Sequence, residues 1–213
     1  MNLHSYFPYK LYLVISQEDC LGKNFIPIVR QAVKGGVDIV QLREKNLSTE
    51  DFLTNALMLQ DLLGPLNVSL IINDNLEVAE KINAYGIHVG QSDAQPSFIR
   101  EHWEPCKLLG YSVEEKEHLF SRETQLADYL GVSPIFSTAT KTDTVGEWGI
   151  EGLREVREIT SKPLVAIGNM NVANVGEVMR AGANCIAVVS AITKSENPEK
   201  AAFELRNEIE KNS

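Results

Sequence analysis

The sequence predicts an α/β protein built as one (β/α)8 barrel, a TIM barrel, with eight parallel strands and surrounding helices. Eight short runs rich in aliphatic and β-branched residues recur along the 213 residues, and helical patterns separate them. Several runs are apolar throughout, as strands buried on both faces of a parallel sheet must be. No linker or low-complexity segment divides the chain, so residues 1–213 are expected to form a single domain.

The eight predicted strands follow one another in regular order. An open, doubly wound sheet is the competing arrangement, and the barrel is favoured because the strand count is eight and no GxGxxG follows the first strand. The predicted strands are LYLVIS (11–16), VDIVQLR (37–43), SLIIND (69–74), GIHVG (86–90), LLGYS (108–112), YLGVSPI (129–135), PLVAIG (163–168) and CIAVVS (185–190).

Helical patterns fill the gaps between these strands. Ser48 is predicted to cap a helix that opens with Thr49-Glu50-Asp51, because serine followed by acidic residues is a helix-start signal. Residues 149–160 and 171–181 predict two more helices, the second ended by Gly182. Pro198 is predicted to begin the last helix.

Composition limits the classes of protein that fit. The net charge of −9 argues against a general nucleic-acid binder, which would carry a basic face. No apolar run approaches the roughly 20 residues that span a bilayer, and the first residues lack the regions of a signal peptide. Cys20, Cys106 and Cys185 are far apart and fit unpaired thiols in a reducing cytosol. We therefore expect a cytoplasmic protein with neither membrane nor nucleic acid as partner.

Polar residues follow the carboxyl ends of the predicted strands, where barrel enzymes bind their substrates. Each alone would fit a turn or a helix start, but their repeated arrival at one rim favours a binding site. In chain order they are Gln41, Arg43 and Lys45; Asn73 and Asp74; Gln91 and Asp93; Ser112; Thr138, Thr140 and Lys141; Gly168; and Ser190.

Two carboxylates at this rim predict a magnesium site. Asp74 and Asp93 end consecutive strands, so they should be neighbours. Mg²⁺ binds through one or two carboxylates together with substrate phosphates. Arg43 and Lys45, one strand away, offer a planar fork and a point charge for phosphate oxygens.

The alternation of VQLREK places three side chains on one side of its strand, namely Gln41, Arg43 and Lys45, and leaves Leu42 and Glu44 on the other.

A second anion site is predicted across the rim. Loops after strands seven and eight of such barrels often bind phosphate through backbone amides. Here they are IGNMN (167–171), where Gly168 allows close approach and a helix is expected to start at Asn171, and VVSAI (188–192). The loop PIFSTATKTD (134–143) adds hydroxyls and a lysine. A metal-assisted site beside a monophosphate site implies two phosphorylated substrates, or one long one.

Seven motifs in order resemble those of the thiamine-phosphate synthase family: QLREK, the strand-end ND, HVGQSD, GYS, PIFSTATK, AIG and VVSAI. The resemblance runs from Leu11 to about Ala202. It implies a transferase that joins 4-amino-2-methyl-5-(diphosphooxymethyl)pyrimidine to 4-methyl-5-(2-phosphooxyethyl)thiazole, giving thiamine phosphate and diphosphate. It also implies one Mg²⁺ in each active site, held by Asp74 and Asp93, and leaves a homodimer open.

The resemblance further implies the roles of individual residues. Arg43, Lys45, Ser112 and Lys141 would be catalytic. The pyrimidine diphosphate would be bound by Gln41, Leu42, Arg43, Glu44, Lys45, Asn73, Ser112 and Lys141. The thiazole phosphate would be bound by Thr138, Ala139, Thr140, Gly168, Val189 and Ser190.

The chain departs from the family pattern at Asn75, where the family reads arginine, and at Asn169-Met170, where it reads Gly-Ile. These departures bear on affinity for the thiazole phosphate more than on reaction type. Alternative functions are a thiazole tautomerase, a sugar-phosphate epimerase and a non-catalytic sensor of thiamine precursors. His88 fits either a site-lining or a hydrogen-bonded interior position, and Trp148 fits either a lid or a packed cap.

Overall fold

A closed barrel of eight parallel strands forms the centre of the molecule in the computed structural model, which describes residues 7–137 and 146–213. Each strand pairs with the next, and the first pairs with the last. The predicted barrel is confirmed, and each predicted run contains its strand except the fifth, whose strand extends one residue further, to Val113. The strands are β1 (Leu11–Ile15), β2 (Ile39–Leu42), β3 (Ser69–Asn73), β4 (Gly86–Val89), β5 (Leu108–Val113), β6 (Tyr129–Val132), β7 (Leu164–Ile167) and β8 (Cys185–Val188).

Helices surround the barrel in the described part of the chain. Two starts agree with the sequence prediction: the Ser48 side chain accepts a hydrogen bond from Asp51 N at 3.1 Å, and Pro198 opens the last helix. The helices are α1 (Phe25–Lys34), α2 (Thr49–Leu63), α3 (Leu76–Lys81), α4 (Pro96–His102), α5 (Arg122–Leu126), α6 (Gly149–Ile159), α7 (Val175–Arg180), α8 (Ser190–Thr193) and α9 (Pro198–Lys211).

The predicted start of the helix after β7 is wrong. The sequence predicted residues 171–181, but α7 begins at Val175. Asn174 Oδ1 accepts a hydrogen bond from Asn171 N at 2.9 Å, and Asn171 Oδ1 accepts one from Ala173 N at 2.9 Å. Asparagine side chains that bond nearby backbone in this way compete with the helical hydrogen-bond pattern, so these residues form a turn instead.

Two apolar layers follow from the alternation of side chains along each strand. On β1, Leu13 faces outward into the core shared with the helices, whereas Tyr12 and Val14 face the barrel interior. The interior layer is closed at β6 by Tyr129, which is fully buried. The centre of the barrel is therefore filled by side chains.

An ion pair fastens the last helix to the amino-terminal end of the barrel. Arg206 Nη1 on α9 lies 2.5 Å from Asp38 Oδ2, just before β2. The same carboxylate accepts hydrogen bonds from the backbone N–H groups of Lys10 and Leu11, at 3.1 and 3.2 Å. One aspartate thus joins β1, β2 and α9.

The three cysteines are unpaired and buried, as expected from the sequence. Burial raises the pKa of the Cys20 thiol to about 11 and that of Cys185 well above its ordinary value. These thiols are therefore protonated and unreactive at neutral pH. Across residues 7–137 and 146–213, the structure contains no helix with the length and apolar character needed to cross a membrane.

Candidate active site

The carboxyl ends of the strands surround an open cleft with about 1030 Å³ of space between protein atoms. This is the rim at which the sequence predicted a binding site. Eight of the predicted residues line the cleft together: Gln41, Arg43, Lys45, Asn73, Asp74, Gln91, Asp93 and Ser112.

The two predicted metal-binding carboxylates are neighbours in the lining of this cleft, within hydrogen-bond reach of each other. Asp74 follows β3 with a left-handed backbone (φ 60°), and its N–H donates to His88 O at 2.9 Å. Asp93 Oδ2 accepts a hydrogen bond from Gly90 N at 2.8 Å, which fixes its direction. Burial, followed by the hydrogen bond and negative charge of Asp74, raises the pKa of Asp93. The pair therefore favours a bound proton or cation.

This donor set fits Mg²⁺. Within the part of the chain that the structure describes, no cluster of three or more His, Cys, Asp or Glu side chains could enclose a metal ion. Two hard carboxylates, Asp74 and Asp93, leave most coordination positions for water and phosphate oxygens, as Mg²⁺ sites that bind phosphorylated substrates do. The residues present thus suit a metal that arrives with a phosphorylated substrate.

Cations stand beside the carboxylate pair. Lys45 Nζ lies 2.6 Å from Asp74 Oδ2, with about half of the lysine side chain exposed. Arg43 lines both this cleft and a second, adjoining pocket. Its backbone N–H donates to Ile15 O at 2.9 Å, which continues the β1–β2 pairing to the rim. An anion in the cleft would meet both positive side chains.

Leu42 and Glu44 point away from the cleft, as the strand alternation predicted. Leu42 is fully buried in the outer core between sheet and helices. The Glu44 carboxylate accepts hydrogen bonds from Gln17 N at 2.9 Å and from Asn55 Nδ2 at 3.2 Å. Any contact of these two residues with a substrate would therefore come from their backbone.

Polar side chains line the floor of the cleft. Gln41 is buried, and its Nε2 donates to the Tyr12 hydroxyl at 2.9 Å. His88 Nε2 lies 3.0 Å from Ser112 Oγ, and His88 Nδ1 lies 3.0 Å from the Tyr129 hydroxyl. Both descriptions of His88 suggested by the sequence thus hold, because it lines the cleft and is hydrogen-bonded in the interior. Sequence reasoning missed the two tyrosines, which read as ordinary strand residues.

The second pocket adjoins the first at β7 and β8. Gly168, Val189 and Ser190, predicted to bind the thiazole phosphate, all line it. Gly168 has φ 123°, and a Cβ there would lie 2.8 Å from Ile135 N, so glycine is required at this point. Asn169 also has a left-handed backbone, with φ 52°.

The predicted basis for one anion contact is wrong. The amide of Asn171 was expected to receive phosphate at a helix start, but no helix begins there and this N–H donates to Asn174 Oδ1. The predicted residues Thr138, Ala139, Thr140 and Lys141 lie outside the described residues.

Trp148 packs as a cap at the edge of the barrel. Its indole Nε1 donates to Val113 O at 3.3 Å, and the ring packs against the outer core. A Cβ added at Gly152 would lie 3.1 Å from the ring, so the next turn of α6 leaves room for it. The sequence left either a lid or a packed cap for Trp148, and its position in the structure is that of a packed cap.

Comparison with known proteins gives matches across nearly the whole chain. A sequence model of the family described as thiamine monophosphate synthase matches residues 11–192. The thiamine-phosphate synthase of Albidiferax ferrireducens is 49% identical over 201 residues, covering 94% of this chain and 92% of the relative. That of Vibrio campbellii is 42% identical over 194 residues, covering 91% and 95%.

Solved structures give the same result. The thiamine phosphate pyrophosphorylase from Pyrococcus furiosus superposes with a TM-score of 0.86 at 31% identity, covering 99% of this chain and 98% of that one. A 3-hexulose-6-phosphate synthase superposes with a TM-score of 0.69 at 19% identity, a likeness of fold alone.

Proposed function

Because the chain belongs to the thiamine monophosphate synthase family, we propose that its rim cleft binds the pyrimidine diphosphate with Mg²⁺ and that the adjoining pocket binds the thiazole phosphate. The protein is an enzyme of thiamine biosynthesis, a transferase that forms thiamine phosphate. This family membership sets aside the thiazole tautomerase, the epimerase and the non-catalytic sensor that the sequence left as alternatives.

One observation carries the assignment of the cleft: the carboxylate pair of Asp74 and Asp93 stands beside Lys45 and Arg43 at one rim. Carboxylates alone would repel a diphosphate, and cations alone would not hold a metal. Together they suit a diphosphate that enters with Mg²⁺, because Asp74 and Asp93 would hold the ion while Lys45 and Arg43 would reach the phosphate oxygens.

The proposed reaction breaks one bond and forms another. The C–O bond to diphosphate breaks, with its electron pair leaving on the diphosphate, and the aminopyrimidine ring stabilises the cation that remains. The lone pair of the thiazole nitrogen then forms the C–N bond and gives a thiazolium. The attacking nitrogen carries no proton, so the mechanism needs no catalytic base.

The side chains of the cleft act on the charge that the leaving group gains. Bound Mg²⁺ would supply Lewis-acid stabilisation of the departing diphosphate. Arg43 and Lys45 add fixed positive charge at the same place, which lowers the barrier most where charge develops in the transition state. Ser112, on the opposite side of the floor, would hold the pyrimidine diphosphate in position.

The position of the second pocket would bring the two substrates close together. The two pockets share part of their walls, including Val14, Ser133 and Ile167. A thiazole phosphate anchored near Gly168 and Ser190 would therefore present its ring toward the cleft. This shared wall is where attack on the pyrimidine cation would occur.

The activity test combines product detection with a matched control. Purified protein would be mixed with both substrates and Mg²⁺, and thiamine phosphate would be followed by mass spectrometry. We expect product from the wild type, and loss of at least about 100-fold in rate with Asp93→Ala or with chelator. Asp61→Ala, at an exposed position of α2, should leave the rate unchanged. Product at the wild-type rate from Asp93→Ala would contradict the metal assignment.

Two further expectations from the sequence remain proposals. The three buried, unpaired cysteines support a reducing compartment, so we propose the cytoplasm. A homodimer is the other expectation, and light scattering on the purified protein tests it.

A further inference from the structure

Five side chains form a continuous chain of hydrogen bonds through the barrel interior, beneath the cleft. Gln41 Nε2 donates to the Tyr12 hydroxyl at 2.9 Å, and the Tyr12 and Tyr129 hydroxyls lie 3.1 Å apart. Tyr129 then contacts His88 Nδ1 at 3.0 Å, and His88 Nε2 contacts Ser112 Oγ at 3.0 Å. The chain thus connects β2 with β5, and its two ends are residues assigned to the pyrimidine diphosphate.

The first member of the chain is consistent with one direction of hydrogen bonding that runs from Gln41 to Ser112. The amide nitrogen of Gln41 can only donate, so Tyr12 accepts from it and gives its own hydrogen to Tyr129. In this direction, Tyr129 gives its hydrogen to His88 Nδ1, 3.0 Å away. Burial raises the pKa of both tyrosines, so both hydroxyl hydrogens are present at neutral pH.

The last two members of this chain, His88 and Ser112, determine which hydrogen is presented to the cleft. A neutral histidine that accepts at Nδ1 carries its hydrogen on Nε2, and this hydrogen is donated to Ser112 Oγ. The Ser112 hydroxyl, having accepted a hydrogen bond, has its own hydrogen to give. Because Ser112 lines the cleft, that hydrogen is available to a ligand.

The barrel is shaped around this chain of side chains. The His88 and Tyr129 rings stack with centroids 5.5 Å apart and planes at 29°. A Cβ at Gly131 would lie 2.9 Å from His88 Cε1, and one at Gly110 would collide with both rings. Two glycines on neighbouring strands therefore leave the space that the rings occupy, which fixes the imidazole in one orientation.

We propose that Tyr12, Tyr129 and His88 are positioning residues that hold His88 as its Nε2–H tautomer and thereby make Ser112 a hydrogen-bond donor to an acceptor atom of the pyrimidine diphosphate. This inference rests on the proposed function, since it names how one residue of that site is oriented. The three residues act through Ser112. An unaligned hydroxyl would have to reorient each time substrate bound, whereas this one is aligned beforehand.

The first test reads the tautomer directly and needs no turnover. In protein labelled with ¹⁵N at histidine, NMR distinguishes a protonated from an unprotonated ring nitrogen. The protein has four histidines. The ¹⁵N signals that disappear in His88→Asn are those of His88. We expect Nε2–H with unprotonated Nδ1 in the resting wild type at pH 7.5. The Nδ1–H tautomer, or an imidazolium, would overturn the proposal even in a fully active enzyme.

The second test removes one hydroxyl from the chain. Tyr129→Phe keeps the ring but leaves His88 Nδ1 without its donor. We expect the Nδ1–H tautomer to become populated and kcat/KM for the pyrimidine diphosphate to fall about tenfold, with KM for the thiazole phosphate within about twofold. Tyr9→Phe is the matched control, because the Tyr9 hydroxyl forms a hydrogen bond with Ser69 and is not part of the hydrogen-bond chain. It should change neither quantity.

The outcomes separate positioning from simple packing. A fall in kcat/KM without any change in the tautomer would assign Tyr129 a packing role and overturn the proposal, as would no change in either. If Tyr129→Phe does not fold, Tyr12→Phe breaks the chain one link earlier and is read in the same way. An enzyme without synthase activity would refute the proposed function, while the tautomer result would still stand on its own.

Discussion

Lys45 Nζ lies 2.6 Å from Asp74 Oδ2, so a cation on the rim above β2 is paired with a carboxylate directly after β3. The carboxylate is one of two assigned to Mg²⁺, and the cation is one of two assigned to the diphosphate. In the protein without substrate, the two side chains neutralise each other. Under the proposed assignment, Asp74 would hold Mg²⁺ and Lys45 would contact the diphosphate, so each side chain would exchange its present partner for a new one.

Lys45→Met is therefore expected to act in opposite directions on metal binding and on turnover. Without the competing ammonium, Asp74 should bind Mg²⁺ about twofold to fivefold more tightly in the free protein, because a partly exposed ion pair contributes only about 1 kcal/mol or less. The rate of synthesis should fall about 100-fold, since positive charge at the leaving group is lost. Calorimetric titration with Mg²⁺ and a steady-state assay measure the two effects.

Lys116→Met supplies the control for that prediction. Lys116 pairs with Glu155 at 3.0 Å on the exposed surface, outside the cleft. It should alter neither Mg²⁺ affinity nor rate. Weaker Mg²⁺ binding in Lys45→Met would show that Lys45 assists the metal site instead of competing with the ion.

Asp93→Asn should stabilise the metal-free protein at neutral pH. Burial and then Asp74 raise the pKa of Asp93 above its ordinary value of 3.8. The folded protein thus holds this proton more tightly than the unfolded chain does. The resulting stability is fully present below the unfolded pKa and is lost as the pH rises through the folded pKa.

At pH 7.5 in chelator we expect a melting temperature about 2 °C higher for Asp93→Asn than for the wild type. The gain should shrink as the pH falls toward 4, where the wild-type carboxyl also becomes neutral. Thermal unfolding at both pH values measures this, with Asp61→Asn on exposed α2 as reference. An equal gain at both pH values would argue against a titrating carboxylate as its source.

Gly168→Ala should weaken both the fold and the thiazole phosphate pocket. Its φ of 123° is unfavourable for alanine, and the added Cβ would press on Ile135 N at 2.8 Å. We expect a loss of about 2–3 kcal/mol in unfolding free energy and a KM for the thiazole phosphate raised about tenfold. Urea denaturation and initial rates measure the two effects.

Gly22→Ala isolates the backbone contribution to that result. Gly22 also has positive φ, 79°, but no atom lies within 4 Å of its Cβ position. It should lose only about 1 kcal/mol of stability and retain the wild-type KM. A similar rise in KM for both variants would mean that the pocket senses general destabilisation, not the local clash.

Asp38→Ala, at the end of the barrel opposite the cleft, should strongly reduce the stability of the fold. It removes the partner of Arg206 and the acceptor for two backbone amides, those of Lys10 and Leu11. The half-buried guanidinium keeps its bond to Gly36 O and its pair with Glu210. We expect a loss of about 2–4 kcal/mol in unfolding free energy with substrate KM values unchanged, measured by urea denaturation. Glu77→Ala, which breaks the exposed pair with Lys81, should cost less than about 0.5 kcal/mol.

Much of this architecture could be predicted from the sequence because the signals are local. Apolar runs such as LYLVIS and CIAVVS mark β1 and β8, and the serine cap marks the start of α2. The rim residues could be predicted for the same reason, since a parallel barrel brings the carboxyl ends of all strands together. Asp74 and Asp93 could be grouped because they follow consecutive strands, β3 and β4.

What the sequence could not predict depends on contacts between distant residues. Asn171 reads as a helix start, and only the bond from its N–H to Asn174 shows that a turn forms first. His88 and Tyr129 are 41 residues apart, and their side chains meet inside the barrel over Gly110 of the intervening strand β5. No periodicity of a single strand carries that information.

The left-handed backbone of Asp74 limits what can replace it. Its φ of 60° is a conformation that asparagine, aspartate and glycine tolerate and that β-branched residues do not. Glutamate would keep the charge but lengthen the side chain and strain the turn, whereas asparagine would keep the turn and lose the charge. Two constraints therefore limit which residues can replace Asp74: the shape of the turn and the proposed binding of the metal. A library selected for folding alone should enrich asparagine and glycine, and one selected for thiamine-independent growth should retain aspartate.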